Sequence, residues 1–150
     1  MQFIVRVYTT FLRCANALQP LMLLLIRLWM ARVFWLSGLV KISNWDNTLY
    51  LFTNEFPVPF LPPQVAAIFG TTFELACPVL FTLGLFTRLS TLPLIVMTAF
   101  INFSYDDNIQ HYYWAMLLGV ILCCGPGKLS LDYWLSKTFK HLAKTPSAGV

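Results

Sequence analysis

Four stretches of the chain are apolar with little interruption: about 20–42, 63–86, 89–105 and 109–124. Each is judged against the roughly 20 residues a helix needs to cross a bilayer core. The fourth is short, and Tyr112, Tyr113 and Trp114 form an aromatic belt that would anchor one of its ends. Pro78 and Pro93 fall inside the second and third stretches, where a membrane helix is expected to kink, because its neighbours can satisfy the freed carbonyl. Two flanking segments have helical amphipathic spacing. From 131 to 143, Leu131, Trp134, Leu135, Thr138, Phe139 and Leu142 share a face, with Lys137, Lys140, His141 and Lys144 elsewhere. Before the first span, Phe3, Ile4, Val7, Tyr8, Phe11 and Leu12 do the same beside Arg6 and Arg13. Both would lie in the headgroup layer. The pattern predicts an all-α protein, a transmembrane four-helix bundle with amphipathic flanking helices, in one domain over 1–150. The segment 56–63 contains Pro57, Pro59, Pro62 and Pro63, which forbid a helix interior and predict a stiff, extended cap over the bundle.

Composition agrees with the pattern. Of 150 residues, 58% are hydrophobic and 11% charged, against about 25% charged in soluble domains. The net charge of +4 is not gathered into a nucleic-acid footprint. The basic residues flank spans instead. Arg6 and Arg13 precede the first, Arg88 separates the second and third, and Lys128, Lys137, Lys140 and Lys144 follow the fourth. The other loops carry Asp46, Glu55, Asp106 and Asp107 with only Lys41 nearby. The positive-inside rule then puts both termini in the cytoplasm. The N-terminal stretch has no cleavage site at signal-peptide spacing, because its apolar run continues through Arg27.

Charges inside the spans are the candidate chemistry. Arg27 and Arg32 interrupt the first and Glu74 the second, and a charge near the bilayer centre costs several kcal/mol unless paired or wet. Counting about 1.5 Å per residue from the span ends places Arg32 and Glu74 near one depth. Arg27, Gly38 and Lys41 return to one helical face, and Gly38 would admit a neighbouring helix. Arg27, Arg32, Glu74 and Lys41 are thus a candidate intramembrane polar seam. Three readings stand: a tie between helices, a polar pocket for a quinone, an anion or a proton path, and snorkelling to headgroups. Which arginine would pair with Glu74 stays open. Cys14, Cys77, Cys123 and Cys124 contain no Cys-x-x-Cys pair, which speaks against thiol catalysis. His111 and His141 fall on opposite sides, so no metal site is expected; Asp106, Asp107 and His111 read as a solvated surface. The run Gly125-Pro126-Gly127-Lys128-Leu129-Ser130 fails the phosphate-loop pattern at Leu129 and reads as a helix stop, with Ser130 or Asp132 capping the next helix.

Several of these runs resemble one family. Arg27-Leu28, Phe34 and Ser37-Gly38-Leu39-Val40-Lys41 are similar to the first helix of the DoxX family of small bacterial membrane proteins. Glu74, then Gly84-Leu85-Phe86-Thr87-Arg88, resembles its second helix and turn, and Gly125 to Asp132 its closing motif. The resemblance covers about 27–132 and implies four membrane helices. By position it makes Arg27, Gly38, Lys41, Glu74, Arg88, Gly125, Pro126, Gly127 and Asp132 motif residues. Ser37 stands where a histidine is frequent and Ala31 where a glycine is, which weakens a proton-transfer role for the first helix. The implied function is a membrane subunit of a quinone-linked redox or thiol-stress system. It would hold no intrinsic cofactor, bind quinone and work with a soluble redox partner, and the resemblance leaves homo-oligomers allowed. At most it is an oxidoreductase subunit, since haem, flavin and iron–sulfur patterns are missing from the sequence. The alternatives are a membrane scaffold or assembly factor, and a small transporter using the Arg/Glu site.

Overall fold

The computed structural model describes residues 1–55, 57–104 and 108–142. Among these the regular elements are all helical. They are α1 (Gln2–Ser43), α2 (Trp45–Tyr50), a π-helical turn (Leu51–Glu55), α3 (Pro63–Leu83), α4 (Thr87–Ser104), α5 (Ile109–Cys124) and α6 (Leu131–Leu142). By length and composition α1 and α3 can cross a membrane, while Thr87–Phe103 and Ile109–Cys124 are apolar but shorter.

The first helix departs from expectation. It runs unbroken through Pro20 for 42 residues, or about 63 Å at 1.5 Å per residue. That is roughly twice a hydrocarbon core. The amphipathic segment expected ahead of the first span is therefore the first half of α1 and not a separate helix. Proline costs a helix its own N–H bond to the carbonyl four residues back. Here that carbonyl belongs to Asn16, among residues 1–19 that are exposed throughout, so solvent can satisfy it.

Local chemistry sets the other ends. Asn44 Oδ1 accepts from Asn47 N (3.2 Å) to start α2, and Asn108 Oδ1 accepts from Gln110 N (3.0 Å) to start α5. Ser130 Oγ accepts from Tyr133 N (3.2 Å) to start α6. α3 ends at Leu83 and not at the expected position 86, stopped by Gly84 with φ 68°. Its N–H bonds to Phe81 O (3.1 Å) and that of Leu85 to Leu80 O (3.0 Å), a left-handed stop that glycine adopts without strain. The proline segment is not fully extended: Phe60 has φ 70° and Leu61 N–H bonds back to Val58 O (3.3 Å).

The four longest helices pack in a cycle, α1 on α3, α3 on α4, α4 on α5 and α5 on α1. Met30, Ala31, Phe34, Cys77, Phe81, Leu94, Leu118 and Ile121 form the core, and every one of these helices contributes. Trp114 packs at its edge, 6.1 Å from Phe34 and 5.2 Å from His111 between ring centroids. Of the expected aromatic belt, Tyr112 and Tyr113 face outward and Trp114 does not. Outward faces are apolar too, with Trp29, Trp35, Leu39, Ile68, Phe69, Leu92 and Val96 exposed.

α1 and α3 run antiparallel in a definite register. A Cβ on Gly38 would lie 2.8 Å from Leu75 Cδ2 and 3.3 Å from Glu74 Cβ. Gly38 therefore brings the two backbones together beside Glu74. One end of the molecule carries Gly84, the α3–α4 turn and the α5–α6 loop, and the opposite end carries α2, the π turn and the proline segment.

Candidate functional site

Polar side chains inside the helix cluster occupy two levels. At the deeper one, Lys41 Nζ donates to Glu74 Oε1 (2.7 Å), Glu74 Oε2 (2.6 Å) and Ser37 Oγ (2.9 Å). These are the three protons an ammonium has. Glu74 is 3% exposed, and the Lys41 side chain is 19% exposed. Depth along the sequence points to an arginine for Glu74; the structure gives it Lys41, and neither Arg27 nor Arg32 reaches it. The i, i+4 spacing of Ser37 and Lys41 puts both on the face that Gly38 opens to α3.

At the Gly84 end, Arg27 is 1% exposed and ties α1 to the α5–α6 loop. Its Nη1 donates to Pro126 O (2.8 Å) and its Nη2 to Leu129 O (2.7 Å). The loop that resembled a phosphate cradle thus turns carbonyls, not amides, toward the cation. A Cβ on Gly84 would fall 2.5 Å from Arg27 Nη1 and 2.9 Å from Ser130 Cα, so no side chain fits there.

Asp132 closes the same end. Its carboxylate accepts from Phe86 N (2.8 Å) and Thr87 N (3.0 Å), and its N–H donates to Gly84 O (2.9 Å). An acidic side chain from α6 therefore caps the positive N-terminus of α4. It also steadies Phe86, whose φ is 46°. Ser130 caps α6, so the two residues offered for one cap serve two helices. Arg88 Nη2 donates to Cys123 O (3.2 Å), and Gly125 lies against its guanidinium. The motif residues Arg27, Arg88, Gly125, Pro126, Gly127 and Asp132 are gathered here, far in sequence and adjacent in space. A polar groove of about 1000 Å³ runs beside them, lined in part by Gln19, Arg88, Lys128 and Asp132.

Arg32 stands apart. It is exposed on the outer face of α1 and makes no hydrogen bond or ion pair among the described residues. It lines two hollows of about 470 Å³ each, one with Trp29 and Leu117, the other with Trp35, Pro78, Thr82 and Leu83.

The opposite end holds a hollow that no charged or motif residue marks. Phe52 of the π turn, Val58 and Leu61 of the proline segment, Phe69, Gly70 and Phe73 of α3, and Met97 and Phe100 of α4 line an almost wholly apolar hollow of about 320 Å³. Its floor at Gly70 and Phe73 lies within one helical turn of Glu74. The alternation of Phe69 and Phe73 at i, i+4 was the available signal. Cys77 is buried and Cys14, Cys123 and Cys124 are exposed; all four are free thiols. Among the described residues no group of three histidine, cysteine or acidic side chains could hold a metal ion. Asp106 and Asp107 lie outside the described residues.

A family model described as DoxX matches residues 22–106. That range takes in Arg27, Arg32, Lys41, Glu74 and Arg88 and leaves the Gly125–Asp132 motif outside it. The chain is 30% identical to Inner membrane protein YphA of Escherichia coli (strain K12), over 78% of this chain and 92% of that protein. It is 28% identical to an uncharacterized protein of Haemophilus influenzae (strain ATCC 51907 / DSM 11121 / KW20 / Rd), over 78% of this chain and 85% of that one. No solved structure matches.

Proposed function

The chain belongs to the DoxX family of membrane proteins, and from that premise we propose that it is a four-span inner-membrane subunit of a quinone-linked redox system. In this reading α1, α3, α4 and α5 all cross the bilayer, the Gly84 end and both termini face the cytoplasm, and a soluble partner supplies the electron-transfer chemistry. The positive flanks at the Gly84 end and the apolar outward faces support that orientation.

The observation that carries the functional part is the aromatic hollow beside the Lys41–Glu74 pair. Its lining suits the isoprenoid portion of a quinone: four phenylalanines, Met97 and a glycine floor, with no polar side chain among them. It offers no donor for a quinone carbonyl, and Lys41 has none left to give. The protein would therefore hold the tail and leave the headgroup to its partner. The test is the quinone content of the protein purified in native lipid. Bound quinone is expected in the wild type and its loss in Gly70→Leu, which fills the floor where a Cβ already meets Phe52 Cζ at 3.1 Å. A wild-type protein free of quinone, with quinol oxidation by the membranes unchanged on deletion, would discard the reading.

A scaffold role is favoured by a different observation: the hydrogen-bonding groups of Lys41, Glu74 and Asp132 are engaged inside the protein. The same engagement counts against a solute path, because both Glu74 oxygens already accept from Lys41. A scaffold would keep its partners on cross-linking when the pair is replaced by apolar residues of similar size.

A further inference from the structure

We propose that Arg32 holds the phosphate of an anionic phospholipid, whose acyl chains lie in the two hollows on either side of it. The proposal rests on the four-span reading, which puts the Gly84 end at a bilayer surface. Register fixes the depth of Arg32. Gly38 backs onto Glu74 and Leu75, so a residue six positions earlier on α1 stands beside Leu80 and Phe81, and Pro78, Val79, Thr82 and Leu83 on either side of that level line a hollow with Arg32. Thr82 and Leu83 are the last turn of α3. Arg32 is thus about one turn inside the end of the span, some 9 Å along the helix from Glu74. Side chains on a helix lean toward its N-terminus, which for α1 is this same end. The guanidinium can therefore reach the headgroup layer while its stem stays in the acyl region.

Unlike Arg27 and Lys41, Arg32 has no partner among the described residues, and a lipid-facing cation needs one. The described carboxylates are committed or distant. Glu74 is held by Lys41, Asp132 caps α4, and Asp46 and Glu55 lie at the opposite end in α2 and the π turn. A phosphate has the charge and the flat pair of oxygens that a guanidinium binds. The hollows supply the rest. Apart from Arg32 and Thr82 their linings are apolar, with Leu25, Trp29 and Leu117 on one side and Trp35, Pro78 and Val79 on the other.

The experiment compares the full chain and Arg32→Gln in nanodiscs of mixed phosphatidylglycerol and phosphatidylcholine, followed by native mass spectrometry of the lipids retained. The wild type should retain phosphatidylglycerol selectively, and removing one cation should weaken that retention about fivefold. Arg32→Lys should restore part of it, because charge without the planar fork gives a poorer phosphate contact. Arg32 makes no internal bond, so the variant should fold, and continued shielding of the buried Cys77 thiol from maleimide checks that it does. Equal retention of the two lipids by the wild type, or unchanged selectivity in Arg32→Gln, would overturn the proposal. So would a photo-cross-linker at Trp35 that captures a transmembrane protein in place of lipid. Reporter fusions placing the Gly84 turn outside would instead refute the topology, and the lipid measurement stands apart from that result.

Discussion

Replacing Glu74 by Gln should destabilise the protein by about 3–5 kcal/mol, the usual cost of removing one partner from a buried ion pair. The bonds of 2.7 and 2.6 Å to Lys41 correspond to a gross attraction of about 6 kcal/mol at an effective dielectric of about 20. Much of that offsets the desolvation of two charges, so the intact pair adds little net stability. The variant is worse off because it leaves the Lys41 ammonium facing apolar surroundings with Ser37 and a neutral amide. Lys41 keeps 19% of its side chain exposed, which sets the expectation at the lower end of the range. For a chain of this size that is a fall in melting temperature on the order of 10 °C. Cys77, 3% exposed and one turn from Glu74 on α3, supplies the assay. With the exposed Cys14, Cys123 and Cys124 changed to Ser, maleimide labelling against temperature in nanodiscs reports opening between α1 and α3. The control is the pair Lys41→Met with Glu74→Leu, where an apolar couple of similar volume should recover most of the loss. A Glu74→Gln protein as stable as wild type would refute the reasoning, and so would a double variant no better than the single one.

Asp132→Ala should cost about 1–2 kcal/mol through the uncapped amides of Phe86 and Thr87, and hydrogen exchange at the start of α4 should rise; unchanged exchange would refute the cap. Gly84→Ala should be worse than Gly38→Ala in the same thermal assay. At Gly84 a new Cβ meets the backbone at 2.9 Å with φ at 68°, while at Gly38 it meets the movable end of Leu75. Arg27→Gln should loosen the α5–α6 loop, read as faster proteolysis near Lys128, because Pro126 O and Leu129 O lose their shared donor. A cleavage rate equal to wild type would remove Arg27 as the tie.

Much of the helical layout was legible because it depends on local chemistry. The fifth helix begins and ends where its apolar run does, at Ile109 and Cys124, and α3 begins at Pro63, a residue that needs no N–H partner in a first turn. The polar pairing was not legible, for a reason of geometry. Counting depth from the ends of two apolar runs assumes that both cross the same slab in step. In fact α1 continues past Ser43 into α2 and the π turn, which pack against α3, so Gly38 and not Arg32 stands at Glu74, an offset of about six residues, or some 9 Å. That offset, with the Lys41 side chain leaning back toward Gly38, brings its ammonium to the depth assigned to Arg32, and moves Arg32 to within a turn of the end of α3. The role of Asp132 was hidden in another way, because its acceptors serve amides 45 and 46 positions away and no local pattern marks them.

The offset also explains why Arg27, Arg32 and Lys41, three of the five cations of α1, have three fates. Lys41 lies deepest, where only a carboxylate can offset desolvation, and the one acidic residue within the core helices is opposite it. Arg27 lies where α3 has ended and the α5–α6 loop turns its carbonyls inward, so neutral acceptors suffice for a delocalised guanidinium. Arg32 falls between them on the outer face, too shallow for Glu74 and on the wrong side for the loop. Its charge is therefore answered from outside the chain or not at all. Of these three it is the charged position whose chemistry points away from the fold and toward whatever surrounds it.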